Sequence, residues 1–366
     1  MIKARGLAGA RSGWVLAVFA LVVATVGLAA CGSKGASGSK APAADTIIGA
    51  GATFPYPLYS KWGSDYAGLN GIKLNYQAIG SGGGISAIEA KTVDFGASDA
   101  PLTEADLKTN GLVQFPLCVG GGVLIVNLPG VSAGDLKLTP DLVAKIYMGT
   151  ITKWDDPAIK AVNPSLSLPS TAISVVHRSD GSGTTWIFTS YLTDAAPSIW
   201  TVGAGTEVNW PVGVGAKGSD GVAASVKQVT GSIGYVEYTY ATQNAMAWTQ
   251  LQNKDGKFVS PALEGFAAAA GNADWKKAPG FALALVNEPG PTTWPITGAS
   301  FILIQQQQQD AARAGQMLTF FDWAYKNGGA AAQGLNYVPI PPKVYKLVEK
   351  LWETVTISGT PVWPAG

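Results

Sequence analysis

The sequence predicts an α/β protein built as two lobes. Short apolar runs alternate with amphipathic helical patterns along most of the chain, and this alternation is typical of helices that flank mostly parallel sheets. A chain of 366 residues is long enough for two lobes, each with its own core. Hydrophobic residues make up 47% of the chain and charged residues only 13%, which argues against disorder.

Each predicted strand is a short apolar run bounded by turn residues. The strands are expected at 73–79, 122–128, 173–178, 233–238 and 299–304. Each predicted helix has apolar residues that recur at helical spacing. The helices are expected at 56–68, 84–91, 104–109, 141–147, 184–193, 220–229 and 310–327. The five glutamines at 305–309 follow a strand, so we expect them in a surface turn.

The N-terminus predicts export. Lys3, Arg5 and Arg11 precede an uncharged run that ends in small residues at Cys31, which is typical of a secretory signal. The motif LAAC (28–31) resembles a bacterial lipobox, so residues 1–31 are interpreted as a lipoprotein signal with Cys31 as the lipidated residue. The alternative is a transmembrane anchor, because the run approaches the roughly 20 residues that a span needs. Residues 32–45 are Gly, Ser, Ala, Lys and Pro, the composition of a flexible tether.

The charge balance excludes one class of partner. The formal net charge is +1, from 25 basic and 24 acidic residues. There is no basic field to attract nucleic acid, so we expect no nucleic-acid partner. Any anion must therefore be held by local geometry.

Enzymatic and metal sites find little support in the sequence. A single histidine, with no serine in a G-x-S-x-G elbow, gives no ordinary triad. Cys118 sits in an apolar run and is expected to be a buried, inert thiol. One His and one free Cys give no zinc cluster, so no metal or other cofactor is expected. Asp155 and Asp156 could form a catalytic pair, but the motif KWDDP is typical of a turn or a helix start.

Three segments share a design suited to holding an anion. GAGATFP (49–55), GSGGGI (80–85) and RSDGSGTT (178–185) each place glycines and hydroxyl residues before a predicted helix. The first N–H groups of a helix lack partners and carry partial positive charge, and glycines allow a ligand to approach them. For each segment alone, the favoured interpretation is that Ser or Thr is an ordinary helix cap. Three such segments, with Arg178 beside the third, favour a binding site.

Asp99 has two interpretations. It lies in a turn before Pro101, where an aspartate commonly bonds its own backbone. Alternatively it faces the ligand, where a carboxylate repels a fully ionised anion but accepts a hydrogen bond from a protonated one. In that case the site would select phosphate, which keeps a proton near neutral pH, over sulfate.

These motifs resemble a known family. GAGATFP, YQAIGSGGGI, VDFGASDAPL, KWDDPAI, HRSDGSGTTWIFTSYL, GSIGYVEYTYA, WPITGASFIL and FFDWAYKNG follow one another as in the substrate-binding proteins of high-affinity phosphate ABC transporters, the PstS family. The resemblance runs from about Ile48 to the C-terminus. It implies that inorganic phosphate is bound by Thr53, Phe54, Ser81, Asp99, Arg178, Ser182, Gly183 and Thr184.

The same resemblance assigns roles within that set. Asp99 takes the proton of the ligand, and Arg178 makes a bidentate contact that Asp180 supports, since a planar guanidinium matches a carboxylate on one side and a phosphate on the other. Gly82 stands where many relatives have a second serine, which could remove one hydroxyl. His177 alternates with Arg178 along a strand, so we expect it to point away from the ligand.

The resemblance also implies a type II-like two-lobed periplasmic-binding-protein fold with two crossover strands. Lobe one is expected at 46–120 plus 295–366 and lobe two at 121–294, with the ion between them and hinge closure on binding. The closed form would be recognised by the membrane permease subunits. We expect a monomer held at the membrane by its lipid, in the periplasm or on the outer face of a bacterial membrane. The alternatives are a receptor for sulfate or molybdate, a secreted phosphatase, or an adhesive surface lipoprotein.

Overall fold

The computed structural model describes residues 46–364. The predicted signal at 1–31, its Cys31 and the tether at 32–45 lie outside the described residues. Within the described part of the chain, no helix has both the length and the apolar character needed to cross a membrane.

The strands alternate with helices along most of the chain. The strands are β1 (Thr46–Gly51), β2 (Lys73–Ala78), β3 (Phe95–Ser98), β4 (Leu112–Val126), β5 (Lys137–Leu138), β6 (Ser174–Arg178), β7 (Val214–Ala216), β8 (Ser232–Glu237), β9 (Ala247–Trp248), β10 (Gln250–Gln252), β11 (Phe258–Val259), β12 (Leu285–Val286), β13 (Ile296–Gln305), β14 (Val338–Pro339), β15 (Thr356–Ile357) and β16 (Thr360–Pro361).

The helices cover the faces and ends of the sheet. They are α1 (Tyr56–Asn70), α2 (Ser81–Glu89), α3 (Glu104–Asn110), α4 (Pro140–Tyr147), α5 (Pro157–Val162), α6 (Gly183–Ala195), α7 (Gly218–Gln228), α8 (Tyr238–Gln243), α9 (Leu263–Gly271), α10 (Ala311–Asn327), α11 (Gly329–Gly334) and α12 (Pro342–Trp352).

The main sheet is mixed. Its strands follow the order β2-β1-β3-β13-β4-β8-β6-β7. Pairing is parallel toward both ends, where β1 joins β2 and β3 and where β6 joins β7 and β8. Pairing is antiparallel in the middle, where β13 joins β3 and β4 and where β4 joins β8. The predicted α/β class with crossover strands is thereby confirmed.

The long strand β4 divides this sheet into two halves. Its residues up to Gly121 pair with β13, and its residues from Gly122 onward pair with β8. We call β2, β1, β3, β13 and the first part of β4 the first half, and the rest of β4 with β8, β6 and β7 the second half. The change of partner lies next to the lobe boundary expected at residues 120 and 121.

The prediction placed the start of β4 too late and was wrong there. The strand begins at Leu112, and all of its residues are buried, as in a strand that is covered on both faces. The three consecutive glycines at 120–122 lie inside this strand. In the structure they allow close packing within the strand, because a Cβ on Gly121 would lie 2.1 Å from the Phe266 ring.

Strands β1 and β3 were not predicted from the sequence. β1 is half glycine and alanine, and β3 is only four residues long, so neither shows strand periodicity. Most predicted helices agree with the structure within a few residues; α2 begins at Ser81, earlier than expected. Asp156 caps α5 by accepting a hydrogen bond from Ala158 N at 2.8 Å, which confirms the helix-start interpretation of KWDDP.

Candidate anion-binding site

Several helices begin where a strand of the main sheet ends. β1 leads into α1, β2 into α2, β6 into α6 and β7 into α7, each through a short turn. In an open α/β sheet the carboxyl ends of parallel strands meet at one edge, and ligands bind in the crevice there. The two halves of the sheet therefore each contribute two helix N-termini to the junction between them.

Arg178 ends β6 and is 4% exposed. Its Nε donates to Asp180 Oδ1 at 2.7 Å and its Nη2 donates to Asp180 Oδ2 at 2.5 Å. The third nitrogen, Nη1, donates to Thr53 Oγ1 at 3.1 Å. The guanidinium thus lies in a fixed orientation, with a carboxylate on one edge and the first half of the sheet on the other.

Asp180 is held as an anion. Burial works to raise its pKa, but the hydrogen bonds and charge of Arg178 outweigh burial, so the pKa is below its ordinary value. Gly218 N, at the start of α7, also donates to Asp180 Oδ1 at 3.0 Å. Asp180 thus largely neutralises the charge of Arg178, so a bound anion would depend mainly on N–H and O–H dipoles.

Thr53 connects the two halves through its hydroxyl. Its Oγ1 lies 2.8 Å from Ser219 Oγ and accepts from Ser219 N at 3.3 Å, in addition to the contact with Arg178. The Thr53 carbonyl accepts from Tyr240 Oη at 2.8 Å. Because a trans peptide places its C=O and N–H on opposite sides, the N–H of Phe54 points away from Tyr240.

Phe54 is held from both ends. Its side chain is fully buried and packs edge-on against Tyr337, with 6.3 Å between ring centroids. Its carbonyl accepts a hydrogen bond from Tyr337 Oη at 2.7 Å. The backbone of the Thr53–Phe54 turn is therefore fixed by two tyrosine hydroxyls.

Ser219 also lies at this junction and was not predicted from the sequence. It is 1% exposed and lies in the first turn of α7. The segment KGSDG (217–221) has the same glycine and hydroxyl pattern as the three predicted segments. The sequence does not distinguish this segment, because no family motif and no arginine accompanies it. The glycine and hydroxyl pattern alone is common at helix starts.

Ser81 joins the same junction from α2. Its Oγ accepts from Asp99 N at 3.2 Å and from Gly183 N at 3.0 Å, so it links β3, α2 and α6. With both lone pairs of the hydroxyl occupied, its proton is available to another acceptor. A Cβ on Gly183 would lie 2.5 Å from Ser81 Oγ and 2.6 Å from Asp99 Cβ, so only glycine fits there.

Asp99 is buried without a hydrogen-bond partner. The residue is 1% exposed, and neither carboxyl oxygen makes a hydrogen bond within residues 46–364. Burial raises its pKa to about 7, against the lowering effects of the nearby Ser300 hydroxyl and Arg178. Ser300 Oγ favours the ionised form of Asp99 but does not meet hydrogen-bond geometry with it. The turn interpretation, in which Asp99 bonds its own backbone, is not what the structure shows.

Ser182 and Thr184 lie on either side of Gly183. Ser182 caps α6, since its Oγ accepts from Thr185 N at 3.1 Å. Thr184 is 2% exposed, and its Oγ1 is without a partner among the described residues. The cap interpretation therefore applies to Ser182, whereas Thr184 keeps a free buried hydroxyl.

A stack of aromatic rings supports the second half of the site. Tyr235 Oη accepts from Arg178 N at 3.1 Å, and its ring stacks with Phe188 at 4.6 Å and Trp210 at 5.9 Å between centroids. His177 stacks on the same Trp210 at 4.9 Å. The strand alternation thus directs Arg178 to the junction and His177 to the ring stack.

The sequence analysis also considered two cysteines and a possible metal site. Cys118 is a fully buried free thiol in β4, and burial raises its pKa well above the ordinary value. Among residues 46–364, no group of three His, Cys, Asp or Glu side chains is arranged to hold a metal ion. Cys31 lies outside the described residues.

Comparison with known proteins places the chain in a family. Residues 36–327 match the PBP superfamily domain. The phosphate-binding protein PstS of Pasteurella multocida is 51% identical over 324 residues, which cover 87% of this chain and 94% of that protein. The PstS of Xylella fastidiosa is 52% identical and covers 84% of each chain. A solved structure of a high affinity periplasmic phosphate-binding protein (PfluDING) covers 86% of this chain and 96% of that chain, with 24% identity and a TM-score of 0.71. The chain therefore belongs to the PBP superfamily and, within it, to the PstS phosphate-binding proteins.

Proposed function

We propose that this protein is the extracytoplasmic substrate-binding component of a phosphate ABC importer, which binds inorganic phosphate between two lobes and delivers it to the membrane permease. The observation that carries the proposal is the buried Asp99 carboxyl, which has no hydrogen-bond partner among residues 46–364 and belongs to a residue packed against the starts of α2 and α6. A buried carboxyl without a partner is costly. A ligand that brings its own proton would satisfy it.

The proposed ligand set combines donors from both halves of the sheet. The first half supplies Thr53, the backbone of Phe54, and Ser81, whose hydroxyl proton is free. The second half supplies Arg178, Ser182, Gly183 and Thr184, and Asp180 orients the guanidinium. To the residues inferred from the sequence we add Ser219, whose hydroxyl lies 2.8 Å from that of Thr53. The lobes proposed are 46–120 with 295–366, and 121–294.

Asp99 would make the site selective for phosphate. Phosphate near neutral pH carries a proton that an ionised Asp99 can accept, whereas sulfate has none to offer. An unprotonated anion would face the carboxylate as like charge, which costs affinity. A receptor for sulfate or molybdate is therefore the less favoured second candidate.

We further propose that Cys31 carries the lipid that holds a monomeric protein at the outer face of a membrane or in the periplasm. The protein would release phosphate unchanged and would not be an enzyme. No residue of this site supports the alternatives of a secreted phosphatase or an adhesive lipoprotein.

Competition calorimetry on purified protein tests the proposal. Phosphate is expected to bind tightly with a stoichiometry of one, and sulfate at the same concentration should not displace it. Equal affinity for the two anions would contradict phosphate selectivity. Hydrolysis of a generic phosphate ester that is lost in Asp155→Asn would favour the enzyme instead.

A further inference from the structure

Glu237 is a fully buried carboxyl that the proposed ligand set does not use. It is the last residue of β8, where that strand pairs with Gly122 at the change of partner along β4. None of the ion pairs found among residues 46–364 involves it. The titratable groups that act on it or feel its charge are Cys118, Tyr238, Tyr240 and Tyr337. All of them are uncharged while they keep their protons.

Glu237 reaches the anion site through Tyr337. Tyr337 Oη lies 2.8 Å from Glu237 Oε2 and 2.7 Å from the carbonyl oxygen of Phe54. The same oxygen, Glu237 Oε2, also accepts a hydrogen bond from Thr239 N at 2.8 Å. The acid in the second half of the sheet is thus joined to the Thr53–Phe54 turn in the first half.

The contacts of the Tyr337 hydroxyl determine the protonation state of Glu237. Two short O···O contacts meet at Tyr337 Oη, and a phenol has only one proton to donate. The Phe54 carbonyl brings no proton, so it must receive the proton of Tyr337. The contact between Tyr337 Oη and Glu237 Oε2 then needs a second proton, and Glu237 is the group that can supply it.

The neighbouring hydroxyl does not supply that proton. Thr239 Oγ1 makes a short hydrogen bond to the Leu335 carbonyl and lies 3.3 Å from Glu237 Oε1. Its single proton goes to the carbonyl, which has no proton of its own. An ionised Glu237 would therefore leave the Tyr337 contact with one proton for two acceptors.

We propose that Glu237 is a neutral carboxylic acid that donates to Tyr337, so that Tyr337 in turn donates to the Phe54 carbonyl and positions the Thr53–Phe54 turn. Glu237 is a positioning residue, because it acts through Tyr337 and touches no ligand. The positioning role rests on the proposed phosphate site, whereas the protonation state does not. Burial raises the pKa of Glu237 to about 8, against the hydrogen bonds that it accepts, in agreement with the proton count.

Infrared spectroscopy of the full protein tests the protonation state directly. At about pH 7, the wild-type spectrum should contain a carboxylic-acid C=O band that is absent from Glu237→Gln. In Tyr337→Phe the acid loses its acceptor, so this band should move to higher frequency. The proposal is overturned if Glu237→Gln folds and removes no acid band. If Glu237→Gln does not fold, the proposal is overturned when Tyr337→Phe leaves the acid band at its wild-type frequency.

The pH dependence of unfolding gives a second readout. The pKa of Glu237 rises from 4.5 to about 8 on folding, so the neutral form contributes stability at low pH that is lost as the pH rises across this window. Denaturant unfolding of ligand-free protein should therefore show wild type losing stability relative to Glu237→Gln between about pH 5 and about pH 8. A difference that does not change with pH would contradict a neutral acid.

Calorimetry separates this inference from the proposed function. Tyr337→Phe removes the donor to the Phe54 carbonyl and should weaken phosphate binding by about fivefold to tenfold. If wild type binds no phosphate, the proposed function fails while the infrared result still decides the state of Glu237. If wild type binds phosphate and Tyr337→Phe binds it equally well, the positioning role is wrong.

Discussion

At the scale of single residues, the site depends on two opposite electrostatic arrangements. Asp180 is stabilised as an anion by Arg178, which lowers its pKa despite burial. Asp99 is buried with both carboxyl oxygens unpartnered in the described chain, and burial raises its pKa to about 7. One carboxylate thus orients Arg178, while the other has no partner among the described residues.

Asp99→Asn should raise sulfate affinity relative to phosphate affinity. The amide removes the like charge that sulfate meets and replaces an acceptor with a donor. Competition calorimetry measures the ratio of the two dissociation constants, and circular dichroism checks the fold. An unchanged ratio would mean that Asp99 does not sense the proton.

Asp99 should also make ligand-free stability depend on pH. Its pKa in the folded protein, about 7, lies above the ordinary 3.8. The neutral form therefore contributes stability below pH 3.8 that is lost as the pH rises toward about 7. Relative to Asp99→Asn, wild type should lose unfolding free energy across this range in denaturant titrations. A constant difference between the two proteins would contradict the raised pKa.

Arg178→Lys should weaken phosphate binding by about tenfold to a hundredfold, because an ammonium cannot reproduce the paired contacts of the guanidinium. Arg313→Lys is the matched control. Arg313 makes a similar two-pronged pair with Asp94, with Nη2 at 2.9 Å from Oδ2, away from the site. The control should keep full affinity in the same titration. Equal losses in both variants would assign the effect to stability.

At the scale of helices and strands, the site is made by helix N-termini that meet across the junction. Gly183 at the start of α6 packs directly on Ser81 and Asp99. The first turn of α2 also contacts the loop that precedes α6, since Gly82 N donates to the Gly181 carbonyl at 2.9 Å. The absence of side chains at these positions allows the two helix ends to pack this closely, which the proposed closure on phosphate requires.

Gly183→Ala should reduce phosphate affinity by about tenfold or more, because the added methyl would force α6 away from α2. Gly68→Ala in α1 is the matched control, since its Cβ would meet no atom within 4 Å. Calorimetry compares the affinities, and thermal unfolding compares the stabilities. Full affinity in Gly183→Ala would show that the two helix ends do not close as described.

The elements were predicted from the sequence where their patterns were long or strongly periodic. Helices α4 and α6 agree closely with the prediction because apolar residues recur along them. β1 and β3 were missed, since short buried strands of glycine and alanine lack both alternation and β-branched residues.

The residues that meet in the candidate site were predicted where sequence motifs contain them. Arg178 and the loop that follows it were found because an arginine stands beside a glycine–hydroxyl run. Ser219 and Glu237 were missed for a physical reason. Their importance comes from contacts with Thr53 and Tyr337, which lie 166 and 100 residues away in the chain. Local sequence carries no signal of such pairings.

At the scale of the whole molecule, contacts between the halves of the sheet surround the site. Thr53, Ser81 and Asp99 come from the first half, and Arg178, Gly183 and Ser219 come from the second. The strand β4 passes continuously from one half to the other. Because its glycines at the crossing carry no side chains, this segment would permit the bending that the proposed closure requires.

Phosphate should therefore make the protein more compact. Small-angle X-ray scattering is expected to show a smaller radius of gyration at saturating phosphate than in ligand-free protein, as for hinge closure. Sulfate at the same concentration is the control and should leave the curve unchanged. Identical curves with and without phosphate would contradict closure on binding.

The ring stack of Tyr235, Phe188 and Trp210 has a consequence for how related proteins can diverge. Tyr235 bonds the backbone of Arg178, and its ring stacks on Phe188 of α6 and on Trp210. Enlarging the site on that side would therefore disrupt a packed interior. On the opposite side of the site, the Tyr240 and Tyr337 hydroxyls donate to the carbonyls of Thr53 and Phe54. Adaptation to a bulkier oxyanion would therefore be expected to need coordinated changes on both sides of the site, because each side is tied to buried aromatic residues.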